Sequence, residues 1–176
     1  MQSVKVVVTG PFNAGKTTFI KSVSEITVLS TERRVSDASG EGAGETTVAM
    51  DFGRITISDD VVLYLFGTPG QERFSFMWET LAEGMLGFVL VVDARSDESI
   101  ENAASMIEFF TRMSDVPFVV AANKIADTDL AGLEAMRGRL HLADGVPLLA
   151  CDAREKLSVK SVLLGLLYEI LNGLEQ

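Results

Sequence analysis

Eight residues, Gly10-Pro11-Phe12-Asn13-Ala14-Gly15-Lys16-Thr17, constrain this chain more than any others. They match G-x-x-x-x-G-K-[ST], a spacing in which backbone N–H groups cradle phosphate. Val4 to Thr9 precede them and read as a buried strand; Thr17 to Val23 follow and read as the start of a helix. A strand that turns through glycines into a helix aims several N–H groups at one point, and the helix dipole adds partial positive charge there. The expected phosphate cradle is Asn13, Ala14, Gly15, Lys16, Thr17 and Thr18. Lys16 is expected to reach the β- and γ-phosphates, and the Thr17 hydroxyl to sit on Mg²⁺.

Strand and helix patterns alternate along the rest of the chain. Thr47 to Ser58 and Val61 to Phe66 read as a hairpin turned at Asp59-Asp60. Gly87 to Asp93, Pro117 to Ala122 and Val146 to Ala150 read as further strands. Apolar residues at helical spacing mark helices around Ile100 to Phe110, Leu130 to Leu140 and Val159 to Leu171. This order predicts an α/β domain over residues 1–176, with a mostly parallel six-stranded sheet, one antiparallel hairpin strand and helices on both faces. Ligands in such folds sit at the carboxyl ends of the strands. The Gly10–Thr17 loop, Gly67, Asn123 and Asp152 all follow strands, so they are expected to converge. Ser30 to Glu45 is polar and carries Gly40, Gly42 and Gly44; it reads as a long mobile loop.

Composition narrows the function classes. Apolar residues make up 47%, which suits a packed domain. A net charge of −10 argues against general binding to nucleic acid or to an anionic membrane surface. It leaves room for a nucleotide, because Lys16, the loop amides and a metal supply positive potential locally. One cysteine, Cys151, forms no internal disulfide, so a reducing cytoplasm is expected. No apolar run in the sequence reads as a membrane span, residue 2 is Gln, and the tail has no cysteine to prenylate, so no membrane anchor is expected.

Four further segments complete a family pattern. Thr47-Val48-Ala49-Met50-Asp51-Phe52 resembles the Rab-type T-I-G-V-D-F. Gly67-Thr68-Pro69-Gly70-Gln71-Glu72-Arg73-Phe74 resembles D-T-A-G-Q-E-R-F. Asn123-Lys124 resembles N-K-x-D, and Cys151-Asp152-Ala153-Arg154 resembles the weaker signature centred on S-A-K. Over nearly its whole length the chain is similar to Ras-superfamily small GTPases. It most resembles the prokaryotic Ras-like group that includes the gliding-motility switch MglA, where the aspartate replaced here by Gly67 is also missing.

That resemblance implies a switch that binds GTP or GDP with Mg²⁺ and hydrolyses GTP slowly. It implies that Thr47 closes over the metal and that the Gly70 N–H meets the γ-phosphate. Gln71 would act in catalysis by orienting the attacking water, and Lys16 by contacting the β- and γ-phosphates. Asn123 would tie the base loop to the phosphate loop, and the Lys124 stem would lie against the base. The Ala153 N–H, flanked by Asp152 and Arg154, would meet the guanine O6. The family's base-reading aspartate falls at Ala126; Asp127, one residue later, is its substitute or else a helix cap. The even spacing of Thr47 and Asp51 puts them on one face of a regular strand, so Asp51 is expected either to supply the metal-site carboxylate that Gly67 lacks or to be a solvent-facing partner-binding residue, as its Rab counterpart tends to be. Regulatory and effector proteins, a roadblock-fold regulator among them, are the implied partners, and the chain itself is expected to be a monomer or weak dimer. Gly67 and Ala126 keep two other readings open: a nucleotide-binding scaffold that does not hydrolyse, and a nucleotide-binding protein with relaxed choice of base.

Overall fold

The computed structural model describes residues 2–36, 45–126 and 128–174. Seven strands form one sheet: β1 (Gln2–Thr9), β2 (Leu29–Ser36), β3 (Glu45–Ser58), β4 (Val61–Gly67), β5 (Gly87–Asp93), β6 (Phe118–Asn123) and β7 (Leu148–Cys151). Their order is β2-β3-β4-β1-β5-β6-β7. β4, β1, β5, β6 and β7 pair in parallel. β3 pairs antiparallel with both β4 and β2, so it alone runs against the others.

The six expected strands and the single reversed strand are present. The difference is β2. Its residues, Leu29-Ser30-Thr31-Glu32-Arg33-Arg34-Val35-Ser36, show no apolar alternation and read as loop. They form an edge strand through backbone pairing, from Leu29 opposite Phe52 to Ser36 opposite Glu45. Edge strands are commonly polar, because a charged edge resists pairing with other chains. Residues 30–36 and 45 of the expected long loop from Ser30 to Glu45 are thus strand, and residues 37–44 lie outside the described residues.

Alternation along the strands sends side chains to two cores. Val6 and Val8 of β1, with Leu63, Leu65, Val89 and Val91, pack beneath α1 (Lys16–Val23) and α5 (Lys156–Leu174) through Phe19, Ile20, Leu163 and Leu166. Val7, Phe88, Leu90 and Val120 face the other way. There they meet Trp78 of α2 (Phe76–Ala82), Met106 and Phe110 of α3 (Asp97–Met113), and Met136 of α4 (Leu130–Arg139). The valine-rich, doubly covered strands are what a parallel sheet requires. This stacking holds the carboxyl ends of β1, β4, β6 and β7 along one edge. Asp127 lies outside the described residues. The cap of α4 is Asp129, whose carboxylate accepts from the Gly132 N–H at 2.9 Å.

Candidate functional site

The turn from β1 into α1 is set by backbone conformations that few residues adopt. Asn13 has φ 62° and Gly15 φ 111°. A Cβ on Gly15 would stand 2.4 Å from the Asn123 Nδ2, so only glycine fits. Gly15 is also the residue that caps α1, and it offers no side-chain oxygen. Phe19 N–H is satisfied by the Gly15 carbonyl at 2.8 Å. The N–H groups of Lys16, Thr17 and Thr18 precede it in the first turn and have no partner within the helix. An anion is the natural cap for such a terminus.

Lys16 is drawn back over the loop. Its ammonium donates to the carbonyls of Gly10 at 2.6 Å and Pro11 at 2.7 Å. Burial lowers its pKa from 10.5 to about 8, against the nearby Asp51 carboxylate, which raises it. Gly70 closes over the same ammonium: a Cβ there would lie 2.6 Å from Nζ and 2.5 Å from the Phe12 nitrogen. The result is a buried cation facing a ring of oxygens and amides, a setting whose charge a phosphate would complete.

Beside it, Thr17 Oγ1 donates to Asp51 Oδ2 at 2.5 Å. Asp51 is 8% exposed and sits on β3 opposite Gly67 of β4. A Cβ on Gly67 would come within 3.1 Å of the Asp51 Cβ and 3.0 Å of the Ile20 Cδ1. Asp51 thus fills the space that a side chain at position 67 would need. Asp51 is thus the carboxylate beside Thr17 where Gly67 supplies none. With its proton given to Asp51, the Thr17 hydroxyl keeps its lone pairs for a metal. A hydroxyl, a carboxylate and phosphate oxygens are the hard donors that suit Mg²⁺. Among the described residues no cluster of three or more His, Cys, Asp or Glu offers another metal site.

Thr47 lies four residues before Asp51 on β3, opposite Arg34 of β2. At about 3.3 Å per residue its Cα is about 13 Å along the strand from that of Asp51.

On the other side, Asn123 holds the cleft together. Its Nδ2 donates to the Ala14 carbonyl at 2.9 Å, and its Oδ1 accepts from the N–H groups of Lys124 at 3.0 Å and Ala153 at 3.1 Å. Asn123 thereby links the end of β6 to the Gly10–Thr17 loop. The same network engages the Ala153 N–H that was expected to meet a base. Lys124, at φ 67°, bridges Asn13 O at 3.4 Å and Asp93 Oδ2 at 2.5 Å. Burial pushes the Asp93 carboxyl up, but hydrogen bonds from Lys124 and the Arg95 amide outweigh it and hold it below the usual range. Asp93 went unremarked in the sequence; its signal is a carboxylate ending an otherwise apolar strand at the ligand edge. Asp152 and Arg154 form a bidentate pair at 2.9 and 2.7 Å, and the Arg154 hydrogen bonds hold Asp152 down to about 2.

Gln71 is tethered. Its Oε1 accepts from Arg73 Nε at 2.7 Å, while the Arg73 guanidinium lies 4.7 Å from the Phe74 ring centre. Pro69 is anchored by Trp78, whose indole N–H donates to its carbonyl at 2.8 Å. One cleft of about 810 Å³ gathers Asn13, Gly15, Lys16, Thr17, Thr18 and Asp51 with Gly70 and Gln71. Asn123, Lys124, Asp152, Ala153 and Arg154 line it as well. Ala14 is buried beneath.

The chain is 30% identical over 131 residues to an uncharacterized protein of Methanocaldococcus jannaschii, 74% of each chain. It is 29% identical over 167 residues to Ras-related protein Rab-3 of Caenorhabditis elegans, covering 90% of this chain and 69% of that one. It is 27% identical over 137 residues to human Ras-related protein Rab-8B, 74% of this chain and 66% of that one. The matches thus span about two thirds of the Rab proteins' length. Residues 8–173 match the family described as conserved hypothetical ATP binding protein, and the chain belongs to that family, with a distant relationship to the Ras-related Rab proteins.

Proposed function

We propose that this chain is a nucleotide-dependent switch that binds a guanine nucleoside triphosphate with Mg²⁺ and hydrolyses it slowly. The observation that carries the reading is the pairing of an uncapped α1 N-terminus with a buried ammonium on one side and a Thr17–Asp51 couple on the other. On binding, Lys16 exchanges the carbonyls of Gly10 and Pro11 for phosphate oxygens. The amides of Lys16, Thr17 and Thr18 cap the anion. Thr17 and Asp51 hold the Mg²⁺ position, Asp51 by keeping the Thr17 proton turned away. Mg²⁺, when bound, neutralises charge on the β- and γ-oxygens. Gln71 orients the attacking water once it leaves Arg73. Thr47 joins only if the end of β3 moves toward the cleft, which makes the β2–β3 hairpin the moving part of the switch. The role of Gly67 extends the likeness to prokaryotic Ras-like GTPases, with a cytoplasmic site of action and protein regulators or effectors that read the Gln71–Arg73 segment.

A second reading concerns the base. Ala126 stands where an aspartate would read guanine, the Ala153 N–H is engaged by Asn123, and the family is described as ATP binding. These favour relaxed choice between guanine and adenine. Loss of one charge-assisted bond of about 1.5–3 kcal/mol lowers the preference by roughly 10- to 100-fold.

Single-turnover hydrolysis of radiolabelled GTP tests the proposal. Expected is a slow rate on the order of 10⁻⁴ s⁻¹, further reduced in Gln71→Leu. Tight binding with no turnover would instead identify a scaffold.

A further inference from the structure

We infer that Asp93 is a positioning residue for nucleotide: by holding Lys124 through the wall of the cleft, it fixes the lysine stem as a surface for the purine base. The inference rests on the nucleotide reading above and concerns the base end of the same site.

Two clefts meet at this bridge. Lys124 lines the cleft of about 810 Å³ that carries the phosphate loop, beside Ile125. Asp93 lines the neighbouring cleft of about 660 Å³, with Trp78, Met106 and Phe109. Their ion pair, at 2.5 Å, runs from one cleft to the other, with the lysine side chain 33% exposed and the carboxylate 15%. Asp93 thus reaches a ligand in the larger cleft through Lys124 and not by touching it.

Lys124 is held at both ends. Its φ of 67° is a conformation that a non-glycine residue keeps only where its surroundings over-determine it. Its N–H donates to Asn123 Oδ1 at 3.0 Å and to the Cys151 carbonyl at 3.3 Å. Its ammonium donates to the Asn13 carbonyl at 3.4 Å and to Asp93. The backbone bonds fix where the side chain starts, and the ammonium bonds fix where it ends. Asp93 is itself braced. Its Oδ1 accepts from the Arg95 N–H at 3.0 Å and faces the Arg95 guanidinium at 3.6 Å. Its own N–H donates to the Oγ of the buried Ser99 at 3.0 Å.

A lysine is a compact charge on a flexible four-carbon stem. With that charge met by Asp93, what Lys124 offers the cleft is the apolar stem. A flat purine can lie against such a stem whichever groups its edge carries, so the contact adds affinity without choosing between guanine and adenine. A free lysine would have to be ordered when the base binds. Asp93 has already ordered it, and pre-organisation of this kind raises affinity.

Titration calorimetry with Mg²⁺–GTP and Mg²⁺–ATP, set beside competition by Mg²⁺–tripolyphosphate, which has no base, tests the inference. Asp93→Asn keeps the shape and removes the charge. It is expected to weaken each nucleotide that the parent binds by about 2- to 10-fold, the cost of ordering one long side chain on binding. Affinity for tripolyphosphate should not fall, because the phosphate loop keeps its contacts; a purely structural fault would lower both. Lys124→Met keeps a stem and drops the ammonium. It should lose as much, and adding Asp93→Asn to it should cost nothing further. Parental nucleotide affinity in Asp93→Asn overturns the inference, as does an equal loss for tripolyphosphate, or losses that add in the double variant. A parent that binds neither nucleotide overturns the nucleotide reading and this inference with it.

Discussion

Replacing Gly67 by aspartate restores the residue found in Ras-superfamily motifs, and the structure says it will damage the protein. The new Cβ would lie 3.0 Å from Ile20 Cδ1 and 3.1 Å from the Asp51 Cβ. Ile20 ends in a flexible methyl and can yield; Asp51 is on a paired strand and cannot. Overpacking of this kind costs about 1–3 kcal/mol. The Asp51 Oδ2 stands 3.5 Å from the new Cβ, so two carboxylates also share one site. Like charges about 4 Å apart repel by about 4 kcal/mol at an effective dielectric of 20, and side-chain rotation relieves part of that. Gly67→Asp alone is therefore expected to lose about 2–5 kcal/mol in urea denaturation. Adding Asp51→Gly removes both the crowding and the second charge, leaving a deficit of about 1 kcal/mol from the strand glycine. The double-mutant cycle should then show a coupling of about 1–4 kcal/mol. Magnesium dependence gives a second reading. Asp51→Gly alone should weaken Mg²⁺-dependent nucleotide binding by about 10- to 100-fold, and the double variant should recover part of it. Parental stability in Gly67→Asp, or additive single losses, would refute the claim that Asp51 fills the space of a side chain at position 67.

Other consequences follow from the same contacts. The Lys16 pKa of about 8 in the free protein lies below its ordinary 10.5, so the folded state binds fewer protons than the unfolded state between those values. Stability relative to Lys16→Met should therefore rise with pH across that window, by about 3 kcal/mol, and be flat below it. Nucleotide affinity should move oppositely: it should fall by about tenfold per unit above pH 8, with proton uptake on binding visible by calorimetry in buffers of different ionisation enthalpy. Asn123→Ala strips partners from the Ala14 carbonyl and the Ala153 N–H in a buried setting. A loss of about 2–4 kcal/mol in urea denaturation is expected even without nucleotide. Arg73→Ala should free Gln71 and change single-turnover hydrolysis, whereas an unchanged rate would show that the tether has no bearing on catalysis.

The phosphate loop, the order of strands and the Asn123 tie were legible because each rests on local chemistry. Glycine spacing, apolar runs and an asparagine after a strand carry their meaning within a few residues. The placement of Asp51 was only partly legible. Its even spacing from Thr47 suggested a shared face, but its position opposite Gly67 and against Thr17 is what defines it, and register across strands is written in no single segment. β2 was illegible because an edge strand needs no apolar face. The Gln71–Arg73 tether and the Lys124–Asp93 bridge depend on how turns aim long side chains, which periodicity does not encode.

The central claim is that Lys16 and the Thr17–Asp51 couple form one nucleotide–magnesium site. Titration calorimetry of Mg²⁺–GTP into the parent chain and into Lys16→Ala tests it most directly. Removing two charge-assisted bonds of about 1.5–3 kcal/mol each should weaken binding by about 100-fold or more. The variant's urea midpoint should match or exceed that of the parent, because burial of the ammonium opposes its charged form. Equal affinity in the two proteins would contradict the account.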